Sequence, residues 1–364
     1  MKIAYLIEDF AVKGGAERIV AQKANHLAAD YGHDVTIISI YRDERPPAYP
    51  LHGVRLTNLD VPFAAHGCGF ADRLLSKTRV LVQAAARFNK AMNKLQPDII
   101  FFTLSLGALL LPLYRGKARR IYESHLARKF TPYNTFFWST ELKADAVVCL
   151  TSGDAREYRH AKRIEVIPNF IDKPKACVKE YAAKRAVAVG RLERQKGFDI
   201  LINCWKAATD GRPGWRLDIY GEGPLRGELQ SQIDSLGLQD SITLCGTCAD
   251  MADRYARYSL HLMASRYEGQ GIVLIEAQAA GLPSVVFNYE YGAADIVTDG
   301  LNGYLVPQGD TKFFTDRLAE MMDSEALRAQ FGAQAKETAK AFFTENIMWK
   351  WEEFIKKTTD KQNG

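Results

Sequence analysis

The chain has 364 residues, of which 47% are hydrophobic and 25% charged, with a formal net charge of +5. Its length exceeds what one hydrophobic core usually supports, and its composition is that of a soluble globular protein with two domains. No apolar run approaches the ~20 residues of a transmembrane helix, and the opening MKIAYLIEDF enters a strand pattern without the basic, apolar and cleavage segments of a secretory leader.

Short β-branched and aromatic runs alternate with helical patterns through the first half: KIAYLI (2–7), DVTIISI (34–40), DIIFFT (98–103), RRIYES (119–124), DAVVCL (145–150) and IEVIP (164–168). Helices are expected over 15–29, 72–95, 132–143 and 152–161. After the turn-rich PNFIDKPKAC (168–177) the pattern restarts with AVAVG (186–190), WRLDIYG (215–221), SITLC (241–245), SLHLMA (259–264), PSVVF (283–287) and GYLVP (303–307). Near-continuous hydrophobic strands separated by crossovers predict parallel sheets covered by helices on both faces. The expected fold is therefore α/β, with two Rossmann-like doubly wound domains, 1–172 and 173–344, facing a cleft. Residues 345–364 are expected to form a C-terminal helix packing back towards the first domain. Ligands of open α/β sheets meet the loops beyond the C-terminal strand ends, so chemistry is sought there.

Charge is unevenly divided, with 24 Lys/Arg against 17 Asp/Glu in residues 1–172 and 24 against 26 in residues 173–364. The basic half favours an anionic partner such as a membrane surface, although surplus basic residues are often a solvated face. Helix 72–95 gathers Leu74, Leu81, Phe88, Met92 and Leu95 on one side and Arg73, Lys77, Arg87, Lys90 and Lys94 on the other. A core-packed helix with a solvated basic face and a membrane-contacting helix both fit that pattern. Of the six cysteines only Cys245 and Cys248, in CGTC, have redox or metal spacing, and buried thiols are the expected reading.

Five stretches carry candidate chemistry. In IEDFAVKGGAER, Gly14 and Gly15 lie between the first strand and first helix, a position suited to phosphate. His125 ends a strand in YESH, while His26, His33, His52, His66, His160 and His261 are expected to be structural or exposed. VGRLERQKGF puts Arg191 just after a strand and Lys196 just before a helix, where two cations and free helix N–H groups suit a pyrophosphate. On its own that spacing favours an exposed charged turn. DIYGEGPLRGEL is a tight turn opening a helix at Leu225, with Gly221 lining the cleft at most. In SRYEGQGIVLIEAQAAGLP, Glu268 sits in a loop where its carboxylate can accept from sugar hydroxyls. Gly269, Gln270, Gly271 and Ile272 lead into a helix that carries Glu276, placed to hold the diol of a ribose.

Taken together, GGAER, ESH, VIPNFID, VGRLERQKG, YGEGPLR and EGQGIVLIEAQAAGLP resemble the retaining glycosyltransferases of family 4, which have the GT-B fold. The resemblance runs through the whole chain in order. It implies that Arg191 and Lys196 bind the donor pyrophosphate, that Glu268 and the 269–271 backbone contact the donor sugar, and that Glu276 binds the ribose. It further implies that Gly14 and Gly15 face the phosphates and that His125 contacts the sugar near the reacting centre. Gln270 departs from the apolar residue often found there. The implied activity is metal-independent transfer of a hexose or N-acetylhexosamine from a nucleotide-sugar, UDP-sugar favoured, to a glycan or lipid-linked acceptor of the bacterial cell surface. The nucleotide-sugar is a substrate, and neither a cofactor nor nucleic acid is implied. A cytoplasmic enzyme, peripheral on the membrane's inner face, is expected. The alternatives are a nucleotide-sugar epimerase of the same fold and a GDP-sugar-dependent mannosyltransferase.

Overall fold

The computed structural model describes residues 1–41, 45–63, 70–131, 137–248 and 250–359, and only the backbone over 70–74. It divides into two compact units, Met1–Asn169 with Ile347–Gly364, and Phe170–Asn346. The first unit holds strands β1 (Lys2–Ile7), β2 (Asp34–Tyr41), β3 (Arg55–Val61), β4 (Ile99–Thr103), β5 (Arg119–Glu123), β6 (Ala146–Cys149) and β7 (Ile164–Val166). They form one parallel sheet in the order β3-β2-β1-β4-β5-β6-β7. The second unit holds β8 (Arg185–Val189), β9 (Arg216–Tyr220), β10 (Ile242–Gly246), β11 (Leu260–Met263), β12 (Ser284–Asn288) and β13 (Gly303–Pro307). These too are parallel, ordered β10-β9-β8-β11-β12-β13. Both are doubly wound sheets, as expected from strands such as IIFFT and LHLM, every residue of which is buried. In each sheet the winding reverses beside the first strand, between β1 and β4 and between β8 and β11.

One strand was not foreseen, one expected helix is shortened, and one is described in part. RLTNLDV forms the edge strand β3, whose polar and largely exposed residues lack the apolar run that marks the inner strands. The helix expected over 152–161 stops after Ser152–Ala155, because the N–H of His160 is taken by the Glu141 carboxylate at 2.8 Å and Tyr158 turns into the core. The helix expected from 132 is described over Phe137–Lys143, and residues 132–136 lie outside the described residues.

Asp154, in that short helix, accepts from the N–H of Arg128 at 2.6 Å and from Ser124 Oγ at 3.3 Å. Burial raises its carboxyl to about 6, against the lowering effect of those bonds. A folded-state pKa above the unfolded value means that stability falls as pH rises from about 4 to 6 and stays reduced above that. Asp154→Asn, which keeps an acceptor and removes the buried charge, is expected to be more stable than the parent by about 2 kcal/mol at pH 8. Urea midpoints should show that gain vanish by pH 4, and a gain that grows on acidification would contradict the assignment.

The helix Phe70–Leu95 commits its apolar face to the core of the first unit: Val80, Ala84, Phe88 and Met92 are buried, with Leu81 and Leu95 packed beside them. Leu74 and Arg73 fall where side chains are not described. Arg87 donates to the Leu59 and Asp60 carbonyls at 2.9 and 2.5 Å and so clasps β3. Lys77, Arg79, Lys90 and Lys94 remain exposed, together with Leu75 and Val82. Among the described residues no helix is long and apolar enough to cross a membrane. The last helix, Thr344–Thr359, lies on the first unit: Trp351 meets Phe101 edge-on and Glu352 pairs with His33 at 2.7 Å.

Candidate active site

The switch point of the second sheet gathers the loops after β8 and β11, and their sequences dictate how they join. After β8 the chain runs through Arg191 into a single 3-10 turn, Arg194–Lys196, then Gly197, which starts the helix Phe198–Ala208. Gly197 has φ +66°, and a Cβ there would lie 2.0 Å from the carbonyl oxygen of Ala264, the residue just past β11. Only glycine lets the two loops approach so closely.

Side chains then lace them together. Arg266 forms a bidentate pair with Asp199 at 2.8 and 2.7 Å, and this bond leads the causes that lower the Asp199 carboxyl. Gln195 Nε2 donates to the Tyr267 carbonyl at 3.0 Å. At the centre, Lys196 Nζ donates to Glu268 Oε1 at 2.6 Å, Ser265 Oγ donates to the same oxygen at 2.7 Å, and Gln195 Nε2 reaches Oε2 at 3.3 Å. Both charged side chains are largely buried, with 16% and 8% exposed. Three donors hold the Glu268 side chain in fixed orientation, and charge-assisted bonds of this length are the strong kind. Sequence reasoning placed Lys196 and Glu268 individually. It missed Ser265, Gln195 and the Arg266–Asp199 clamp, whose only local signals are a serine three residues before Glu268 and an acidic residue in a helix's first turn.

The remaining predicted residues fall around this pair with different fates. Arg191 is exposed and pairs with Glu193 at 3.2 Å. Gly221 follows β9, and a Cβ on it would lie 1.9 Å from the Gly190 carbonyl oxygen, so its role in the fold is close backbone packing. Gly269 and Gln270 lead into Gly271, the N-cap of the helix Ile272–Ala279, which starts at Ile272. Gln270 is 2% exposed; its backbone packs under Gly292, and its carbonyl accepts from Tyr289 Oη at 2.9 Å. Burial, followed by the nearby Glu268 charge, raises the Tyr289 phenol well above its ordinary value. The letter that departs from the apolar pattern is thus inside the protein. Glu276 sits a turn and a half into the helix, half-buried, with Tyr255 Oη 3.5 Å from Oε2.

In the first unit, Gly14 caps the helix Gly15–Ala29, and its carbonyl accepts from Tyr49 Oη at 3.0 Å. Glu17 in the first turn already places a carboxylate at that helix end. His125 follows β5 with its side chain 4% exposed and Nε2 3.2 Å from Glu123 Oε1. His261 is a core residue, as expected; burial holds it down to about 3. The thiols of Cys149, Cys177, Cys204, Cys245 and Cys248 are all free. Among the described residues, no three His, Cys, Asp or Glu side chains converge on a metal-holding arrangement.

Residues 13–174 match the family described as Glycosyltransferase Family 4, and residues 173–338 match Glycosyl transferases group 1. The amylovoran biosynthesis glycosyltransferase AmsD of Erwinia amylovora is 29% identical over 97% of this chain and 99% of its own length. An exopolysaccharide phosphotransferase of Streptomyces coelicolor is 27% identical over 100% of this chain, which spans 41% of that protein. Among solved structures, S. aureus TarM, in complex with ligands that include UDP and alpha-GlcNAc-glycerol, superposes with a TM-score of 0.80. It shares 16% identity over 97% of this chain and 99% of its own, a likeness of fold. The two family matches meet at residues 173–174, close to where the chain passes from one unit into the other; the first spans β2 to β7 and the second β8 to β13. On that evidence the chain belongs to the family 4 glycosyltransferases of the GT-B fold.

Proposed function

We propose that this protein is a retaining glycosyltransferase that moves a hexose or N-acetylhexosamine from a UDP-sugar to a lipid-linked or polysaccharide acceptor in bacterial surface-glycan synthesis. The observation that carries this reading is the Lys196–Glu268 pair held at the second sheet's switch point. When the bond from the anomeric carbon to phosphate breaks, the electron pair leaves with the diphosphate, and a fixed ammonium beside it stabilises the charge that develops. Lys196, with Arg191, serves that phosphate. Glu268 accepts from hydroxyls of the transferred sugar, and the backbone of Gly269, Gln270 and Gly271 donates at the start of the following helix. Glu276 takes the ribose, and His125 contacts the sugar. The acceptor oxygen bonds to the same face of the anomeric carbon, and its proton passes to the departing phosphate oxygen. No protein nucleophile is then required, and Glu268, already engaged by three donors, is a poor one. The UDP and the alpha-linked sugar named for the TarM structure, and the biosynthetic role named for AmsD, support the donor and the product class.

A thermal-shift screen of UDP-, GDP- and ADP-sugars tests the donor. A UDP-sugar at 100 times its Kd is expected to stabilise the native state by about 2.7 kcal/mol. A shift confined to GDP-sugars would assign the mannosyl alternative instead.

We further propose that the first unit meets an anionic lipid surface through the exposed part of the helix Phe70–Leu95. Leu75, Lys77, Arg79, Val82, Lys90 and Lys94 are all exposed along it. Each basic residue near such a surface contributes about 1 kcal/mol. Replacing Lys77, Lys90 and Lys94 with glutamine should weaken sedimentation with phosphatidylglycerol vesicles by at least about tenfold. Unchanged partitioning would remove the helix from the membrane contact. Arg87, spent on β3, is left in place.

A further inference from the structure

Two residues before His125, at the end of β5, lies a carboxylate that the proposed reaction does not use. Glu123 is 1% exposed and forms an ion pair through Oε1 with Lys23, which is fully buried in the helix Gly15–Ala29. The Lys23 ammonium sits 3.6 Å from the centre of the Trp351 ring, 5.1 Å from Tyr5 and 5.6 Å from Phe101. Burial alone would raise the Glu123 carboxyl; the Lys23 charge leads the effects that outweigh it and hold it well below the ordinary range. A buried ion pair of this kind is weak evidence for stability, since desolvating two charges costs several kcal/mol and apolar residues of similar volume often do as well.

What distinguishes this pair is its third member. His125 Nε2 lies 3.2 Å from the same Oε1 that Lys23 holds. Glu123 Oε2 and His125 Nε2 are both buried, and neither has a well-aligned hydrogen-bond partner among the described residues. Two unsatisfied buried polar atoms on neighbouring groups are costly unless they satisfy one another, and bonds at reacting sites are often misaligned until substrate binds. The backbone on either side of His125 is already fixed. Ser124 N–H donates to the Val148 carbonyl at 2.9 Å, Ser124 Oγ to the Leu126 carbonyl at 2.7 Å, and Arg128 N–H to Asp154 at 2.6 Å. The freedom left to His125 is therefore ring orientation and tautomer, and Glu123 faces the nitrogen that decides both.

We propose that Glu123 is the positioning residue of His125, accepting from Nε2–H and so fixing the neutral tautomer in which Nδ1 is the acceptor offered to a sugar hydroxyl. Lys23 in its aromatic box keeps Glu123 ionised for that task. The inference rests on the reading of His125 as a sugar-contacting residue, and its test separates the two.

Nitrogen-15 NMR of the full chain labelled at histidine reads the tautomer without any substrate, with His125→Ala assigning the signal. The wild type is expected to show the Nε2–H form, and Glu123→Gln to lose it, with kcat falling about 10- to 100-fold and donor KM changing less than threefold. The double variant Lys23→Met with Glu123→Gln removes both charges together; it provides a folded protein if the single variant leaves Lys23 unpaired, and it should lose the tautomer equally. An unchanged tautomer in a folded Glu123 variant overturns the proposal. A lost tautomer with full activity in His125→Ala keeps the Glu123–His125 coupling and overturns the sugar-contact reading.

Discussion

Lys196→Ala is expected to lower the rate of sugar transfer about 10²- to 10³-fold, the effect of removing one preorganised charge from a site where negative charge develops. The Lys196 side chain is 16% exposed and its ammonium is bonded to Glu268 at 2.6 Å, so it is aimed before the donor arrives. In the proposed role its interaction with the diphosphate strengthens as the sugar–phosphate bond breaks, and the loss should therefore fall mainly in kcat. Glu268→Ala should cost about as much, because it removes the sugar's acceptor and also releases Lys196 from its fixed place. Two residues that act as one unit are not additive, and the double variant should be little worse than either single one. Single-turnover rates on one donor at pH 7 measure all three. A rival role for Glu268 as nucleophile makes a separate forecast, since azide would then rescue Glu268→Ala and yield a glycosyl azide. With front-face attack, azide restores nothing.

Gly197→Ala is expected to cost about 3 kcal/mol of stability and to lower the thermal midpoint by roughly 10 °C. Alanine at φ +66° carries about 1 kcal/mol of backbone strain. The rest comes from a Cβ placed 2.0 Å from the Ala264 carbonyl oxygen, a contact that only backbone movement can relieve. Gly211, at φ +69°, is the control, because a Cβ added there would meet nothing within 4 Å. Gly211→Ala should lose only about 1 kcal/mol, so the difference between the two variants isolates the steric part. Because Gly197 follows Lys196 and Ala264 precedes Ser265, the same movement parts Lys196 from Glu268, and activity should fall more than the folded fraction does. Equal midpoints for the two variants would contradict the close approach of these loops.

The inner strands of both sheets were legible because burial on both faces writes an unbroken apolar run, as in IIFFT and LHLM. β3 was not, because an edge strand needs no such run and RLTNLDV is largely polar. Lys196 and Glu268 could each be placed by the rule that ligand loops follow strand ends, yet their bond spans 72 residues and only the parallel pairing of β8 with β11 brings them together. Ser265 and Gln195 are ordinary loop residues in sequence; Ser265 reaches Glu268 within its own loop, whereas Gln195 reaches it only through that pairing. Lys23 is the sharpest case. A lysine in the first helix reads as a surface charge, since lysine is almost never fully buried unless paired, and its partner comes from a strand 100 residues away. Gln270, conspicuous as a departure from the family's pattern, is buried with its backbone against Gly292.

The most direct measurement of the central proposal is the anomeric configuration of the product formed from an α-linked UDP-sugar, read from the proton NMR coupling at the anomeric carbon of the transferred residue. Retaining transfer predicts an α-linked product and release of UDP in equal amount. A β-linked product, or conversion of the donor to its epimer without transfer, would contradict it.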